Sequence, residues 1–302
     1  MSIDSVLYDA PGPKARRRAM IGTVVVVALG LVVVVIAGLR FAERGQFDAD
    51  LWSPVLNPAD EQFSLVWNLL FQGLRATMSA AVLAIVFSLI VGTALGSARM
   101  LLGAVPTVGP ILKTPIVIFI ELFRGLPVVI TLFLTYQFFR YIGFRLTFLP
   151  GSEIMWYVVI GLTLYNSVVI AEILRAGVAS LPSGQAEASR AIGMTEAATM
   201  RMVLLPQAFR VMLPALISQL VVIVKDTSLG TFIFYLELLT RGLRISQNLD
   251  NPIQMLLVVA LLFILVNYAL SRLAVWTEHR MSRASPGSAE KTEEATGAVA
   301  GA

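Results

Sequence analysis

The residues best placed to do chemistry in this 302-residue chain are charged and amide side chains set inside long apolar runs. Glu121 and Arg124 stand three apart, as do Glu172 and Arg175, a spacing that puts each pair on one helix face. Lys225 and Asp226 are adjacent at the end of another apolar run. A charge at the centre of a bilayer is unfavourable by roughly 2.5–3.5 kcal/mol on insertion scales, so such residues pair with one another or line a route for a polar solute. Two readings therefore stand side by side. Either the pairs neutralise each other and hold helices in place, or Arg124 and Lys225 pass a substrate carboxylate inward. Asp226 beside Lys225 leaves open that both pair with charges on neighbouring helices. Asn166, Ser218 and Gln219 are uncharged candidates for the same route, with interhelical hydrogen bonding as the alternative for each. Other chemistries are excluded by composition. The chain has no cysteine and one histidine, His279, so thiolate and multi-histidine metal sites are absent. Its four lysines, Lys14, Lys113, Lys225 and Lys291, all lack the preceding glycine of a Gly-Lys-Ser/Thr phosphate loop, so nucleotide is not held that way here.

The elements that must position these groups are membrane helices. Hydrophobic residues make up 57% of the chain and charged ones 14%, with a mean hydropathy of +0.80. Soluble domains carry about 25% charged residues, which rules out a soluble globular enzyme. A helix needs about 20 apolar residues to cross about 30 Å of hydrocarbon. Six candidates meet that test: Met20 to Leu39, Thr77 to Ala98, Ile111 to Phe139, Ile154 to Ala171, a run from Val211 through Leu236, and Pro252 to Ser271. The third is interrupted by Lys113, Pro115, Glu121, Arg124 and Pro127 and reads as a broken or tilted helix. Pro127 and Pro214 each remove a backbone donor and kink a span, whether or not the kink moves.

Orientation follows from retention of Lys and Arg on the cytoplasmic side. Lys14, Arg16, Arg17 and Arg18 place residues 1–19 inside as an N-terminal tail. Alternation then puts 14 of the 23 basic residues inside and 7 outside, with Arg124 and Lys225 within spans. The net charge of +4 thus reports cytoplasmic loop charge and not nucleic-acid binding. Residues 40–64 carry five acids and suit the external side. The first apolar stretch, 20–39, is longer than the ~7–15 residues of a signal-peptide core and reads as a retained span. Residues 286–302 are polar and poor in large apolar side chains, the composition of a disordered cytoplasmic tail.

Between the fourth and fifth spans, residues 181–207 have helical composition without sustained apolarity. Ser183 and Thr195 are available as helix N-caps and Gly193 as a stop, which predicts two short helices hinged at Gly193. Ala186, Ala188, Ala191, Ala197 and Ala198 would admit close approach of another surface, and Glu187, Arg190, Glu196 and Arg201 could fix its register. An amphipathic helix pair lying on the membrane is the alternative.

Glu187-Ala188-Ser189, then Gly193, then nine residues, then Val203-Leu204-Leu205-Pro206 resembles the EAA loop of bacterial ATP-binding-cassette importer permeases, with Ser189 for the second alanine and Val203 for the isoleucine. The runs 121–129, 171–185 and 225–229 are similar to permeases of the histidine/glutamine/glutamate type, and the resemblance covers about residues 65–280. It implies an all-α integral membrane protein with six transmembrane helices, a five-helix permease core (65–285) behind one extra N-terminal helix, with both termini cytoplasmic. It implies a seat for Glu187, Ala188, Ser189, Gly193, Val203, Leu205 and Pro206 in a cleft of a separate ATPase dimer that binds ATP and Mg. Its other implied partners are a second permease chain, related or identical, an extracytoplasmic solute-binding protein, and membrane lipid. The expected cargo is a polar amino acid, glutamate first, and the expected location is the bacterial cytoplasmic membrane. Glu121, Arg124, Asn166, Gln219, Lys225 and Asp226 are the candidate pathway residues. The rival classes are an ion-gradient-driven secondary transporter, which would show inverted repeats not visible between 20–140 and 150–275, and a non-transporting membrane scaffold.

Overall fold

A computed structural model describes residues 12–103 and 109–283. The 286–302 tail lies outside the described residues, as do residues 1–11. Among the described residues every regular element is helical. Five helices are long and apolar enough to cross a membrane, or six if one bent pair forms a single span. The chain divides into two compact units, residues 1–63 and 64–302.

The first unit holds α1 (Pro13–Glu43) and α2 (Ala49–Leu56). Pro13 opens α1 where its missing N–H costs nothing, because the first turn's donors have no intrahelical partner. Its valine-rich run is exposed, as suits a helix surrounded by hydrocarbon. The short α2 was not expected from the sequence; the Trp52 indole N–H donates to the Gln46 carbonyl (3.1 Å) across the turn before it.

The second unit is built on α3 (Phe63–Gly103), α4 (Gly109–Gly125), α5 (Val128–Tyr141), α6 (Glu153–Ala179), α9 (Leu205–Asp226) and α11 (Pro252–Arg283). The expected break in the third span is present. α4 and α5 diverge by 113°, and Pro127, extended at φ −62° and ψ 140°, starts α5. Proline has no N–H to continue the α4 ladder and biases the residue before it away from helix. α6 is the central element, with Trp156, Tyr157, Val158 and Leu162 packing Leu132 of α5, Ala80 and Ala84 of α3 and Ile223 of α9. α3 meets α6 backbone to backbone at Gly92, where a Cβ would stand 2.6 Å from the Ser167 carbonyl oxygen. A side chain there would force the two spans apart.

The outer end of the fifth span, which the sequence leaves open, is fixed by the fold. α9 passes into a 3-10 segment, Thr227–Ile233, and Phe234 turns with φ 64° into an amphipathic helix, α10 (Leu238–Leu249). Glu237 starts α10. Its buried carboxylate accepts from the Leu239 and Thr240 amides (2.9 and 2.7 Å), the Thr240 hydroxyl (2.9 Å) and the Thr77 hydroxyl of α3 (3.4 Å). Burial pushes this carboxyl's pKa up, while the four donors pull it down. The apolar run through Leu236 is therefore a span, a tight turn and a cap, and not a longer span.

Candidate functional site

The loop between α6 and α9 folds as two helical pieces about Gly193, as its sequence predicts. α7 (Gly184–Ala191) ends in a turn that satisfies two of its orphan carbonyls. The Gly193 N–H donates to the Arg190 carbonyl (2.9 Å) and the Met194 N–H to the Ser189 carbonyl (3.1 Å). That closure requires a left-handed residue, and Gly193 has φ +84°. No atom lies within 4 Å of where its Cβ would be. Thr195 caps α8 (Glu196–Thr199), its hydroxyl accepting from the Ala198 amide (3.2 Å). Ser183 does not cap: its backbone is already helical and its side chain makes no cap bond. Arg190 and Glu196 pair across the turn at 2.6 Å, so these two charges fix the loop's own shape.

A π-helical turn, Met200–Leu204, joins α8 to α9, and the Leu205 amide reaches back five residues to Met200. Pro206 follows, in the first turn of α9, where it has no donor to lose. Among the motif residues, Ser189 is buried and its hydroxyl donates to the Gln185 carbonyl (2.8 Å). Leu205 packs against Ile170, Leu174, Met212 and Leu216, which ties the loop to α6 and α9. Val203 is half-buried, while Glu187, Ala188, Gly193 and Pro206 are exposed. Two exposed apolar side chains, Ile192 (79%) and Met202 (69%), lie on this otherwise polar loop. They were missed by sequence reading; an isoleucine directly before a helix-stopping glycine was the available signal.

The candidate pathway residues fall in three places. Asn166 of α6 is fully buried and accepts from the Gln219 side-chain amide of α9 (2.7 Å), while its own amide donates to the Leu162 carbonyl (2.9 Å). The Ser218 hydroxyl turns back to the Pro214 carbonyl (3.0 Å). Lys225 lines a cavity of about 580 Å³ with Ser228, Phe263 and Asn267, and none of the other five candidates lines it. Among the described residues, neither Lys225 nor Asp226 makes an ion pair.

The third place is ionic. Glu172 of α6 binds Arg99 of α3, Arg175 one turn on (2.9 Å) and Arg124 of α4 (3.9 Å); Arg99 also reaches Glu121 (4.0 Å). The expected Glu172–Arg175 pair forms. The expected Glu121–Arg124 pair does not, because each finds a partner on another helix. Arg99, the hub's second member, went unnoticed since its partner lies 73 residues away in the chain. At this ionic hub three helices, α3, α4 and α6, are clamped together, and Glu172 is shared by three guanidinium groups.

Comparison with known proteins identifies this arrangement. Residues 99–283 match the family described as binding-protein-dependent transport system inner membrane component. The chain is 40% identical over 240 residues to the glutamate transport system permease protein GluD of Corynebacterium glutamicum, covering 79% of this chain and 82% of that one. It is 30% identical to the probable glutamine ABC transporter permease protein GlnP of Bacillus subtilis, over 74% of this chain and 97% of the relative. Among solved structures, a chain of an amino acid ABC transporter crystallised with histidines aligns with a TM-score of 0.62 at 26% identity, covering 74% of this chain and 99% of that one.

Proposed function

Because the chain belongs to the binding-protein-dependent transport system inner membrane component family, we propose that it carries a polar amino acid, glutamate before others, across the bacterial cytoplasmic membrane. It is a permease subunit of an ATP-binding-cassette importer and catalyses no bond chemistry. The observation that carries the cargo assignment is the likeness to the glutamate permease over four-fifths of both chains.

In this reading both termini are cytoplasmic, and so is the 181–207 loop. A solute-binding protein delivers the amino acid outside, and a separate ATPase dimer holds ATP and Mg inside. A second permease chain, related or identical, completes the pore, since five core helices enclose little space. The loop docks in the ATPase with Glu187, Ala188 and the Gly193 turn facing it and Ile192 as its apolar anchor. Leu205 holds the loop on α6 and α9, so that a push on the turn reaches both spans, while Ser189 braces α7 and Val203 and Pro206 carry the chain into α9. Gln219, Lys225 and Asp226 line the solute route with Asn166 buried behind Gln219 and holding its side-chain amide, and Glu121 and Arg124 set its inner end through the ionic hub.

The test is a mild-detergent pull-down of native chain and Gly193→Asp, followed by amino-acid uptake in the reconstituted complex. Aspartate is among the residues that best tolerate a left-handed backbone, and the Cβ position is open, so the variant inserts and folds. The expected result is an ATPase and a second permease with native chain, and uptake at least tenfold lower in Gly193→Asp. Normal uptake by the variant would sink the coupling assignment. Glutamate failing to compete in a panel of amino acids would move the cargo elsewhere in the polar class. Uptake that survives ATP depletion but collapses with an ion gradient would overturn the importer reading.

A further inference from the structure

At the end of α6 away from the coupling loop, α5, α6 and the segment between them enclose a cleft of about 440 Å³, within the size range of small-ligand sites. Its floor is aromatic: Phe139 stacks on Tyr157 with centroids 5.4 Å apart, and Tyr136 meets Tyr157 edge-on at 5.9 Å. Its rim carries two exposed arginines, Arg140 and Arg145, and one half-buried carboxylate, Glu153. Arg140 is already oriented, donating to the Tyr136 hydroxyl (2.9 Å) with its guanidinium 5.4 Å from that ring's centre. Glu153 accepts from the buried Tyr157 hydroxyl and is thereby fixed in direction. Among the described residues, neither Arg140 nor Arg145 makes an ion pair, although Glu153 lines the same cleft. Two guanidinium groups without carboxylates, one positioned carboxylate and a π floor form a charge pattern of two positives and one negative.

We propose that this cleft is a capture site for the free acidic amino acid, an α-amino dicarboxylate, at the outer mouth of the permease. Each guanidinium takes one carboxylate in the two-pronged geometry that suits it. The ammonium group lies between Glu153 and the aromatic faces, which attract cations. A neutral amino acid leaves one guanidinium unpaired, and a basic one brings a second positive charge against Arg140 and Arg145. The inference rests on the reading of the chain as a glutamate importer.

The test uses the permease–ATPase complex in nanodiscs of neutral lipid, without binding protein, and follows labelled glutamate by equilibrium dialysis. Native complex is expected to bind glutamate, to exchange it for aspartate and to ignore arginine. Arg140→Gln and Arg145→Gln should each weaken binding about tenfold, the worth of one charge-assisted hydrogen bond, and the double variant should abolish it. Glu153→Gln should weaken glutamate while leaving glutarate, which has no ammonium group, unchanged. Each variant's melting temperature is compared with native, and Arg145→Lys, which keeps charge without the fork, should recover part of the loss. No binding by native complex, full binding by the double variant, or equal loss of glutamate and glutarate in Glu153→Gln overturns the site. Displacement of glutamate by phosphatidylglycerol in the nanodisc makes it a lipid-headgroup site and also overturns it. Uptake from liganded binding protein is measured in parallel: its absence with native complex is a failure of the importer reading, whereas its presence without cleft binding is a failure of the cleft alone.

Discussion

The two ends of α6 treat charge in opposite ways. Glu153 and Glu172 lie 19 positions apart on that helix, about 28 Å along its axis. At the Glu172 end three arginines from three helices converge on one carboxylate, with Glu121 completing the cluster. At the Glu153 end two arginines line a cleft with one carboxylate and pair with none. Ionic contact is therefore not a uniform property of charged residues on a membrane helix. Where an arginine is half-buried between helices, as Arg99 is, counter-charge is a structural requirement, because an unpaired buried charge is expensive. Where they stand exposed at the mouth, water satisfies them and their donors stay available. The first end is built to stay closed and the second to receive a ligand.

The comparison breaks most easily at Glu172. Replacing it with glutamine leaves Arg99, whose side chain is only 20% exposed, with the half-exposed Glu121 at 4.0 Å as its remaining carboxylate. The expected cost is on the order of 3 kcal/mol, the low end for breaking a buried pair, read as a lower melting temperature of the purified chain. An unchanged melting point would mean the hub is ornamental. Removing the Glu237 cap with alanine should cost about 2 kcal/mol in the same measurement, from the lost N-cap and the donors left behind. Glu121→Gln sharpens the contrast within the hub. Its carboxylate is half-exposed and 4.0 Å from Arg99, so the loss should stay below about 1 kcal/mol. Smallest of all should be the stability change in Arg140→Gln plus Arg145→Gln, within about 0.5 kcal/mol, as for exposed charges that make no ion pair. A drop as large as that of Glu172→Gln would show that the outer arginines support the fold and erase the distinction between the two ends.

The long spans were legible in the sequence because hydropathy over 20 residues is decided locally, and so was the break at Pro127, where the missing N–H is a property of one residue. The Gly193 turn was legible for the same reason: a helix stop needs only glycine in the right place. What escaped depends on distance in the chain. Arg99 reads as an ordinary end-of-span charge until α6 folds beside α3, and the i,i+3 spacing of Glu121 and Arg124 suggested a pair that stronger partners on other helices pre-empt. α10 escaped because its amphipathic pattern follows an apolar run without a gap, and only the buried Glu237 marks the boundary. Arg140 and Arg145 looked like loop charge, since nothing near them in sequence announces that Phe139 and Tyr157 will stack beneath them.

The unpaired arginines at the mouth also fix how far their influence extends. At physiological ionic strength mobile ions screen a charge beyond about 8 Å, little more than the length of one amino acid. Arg140 and Arg145 therefore do not draw anions from bulk solution; they act on a molecule already released at the rim. Raising salt from low to physiological levels should slow that last step and leave the Arg99–Glu172 pair, the sheltered part of the hub, almost unchanged.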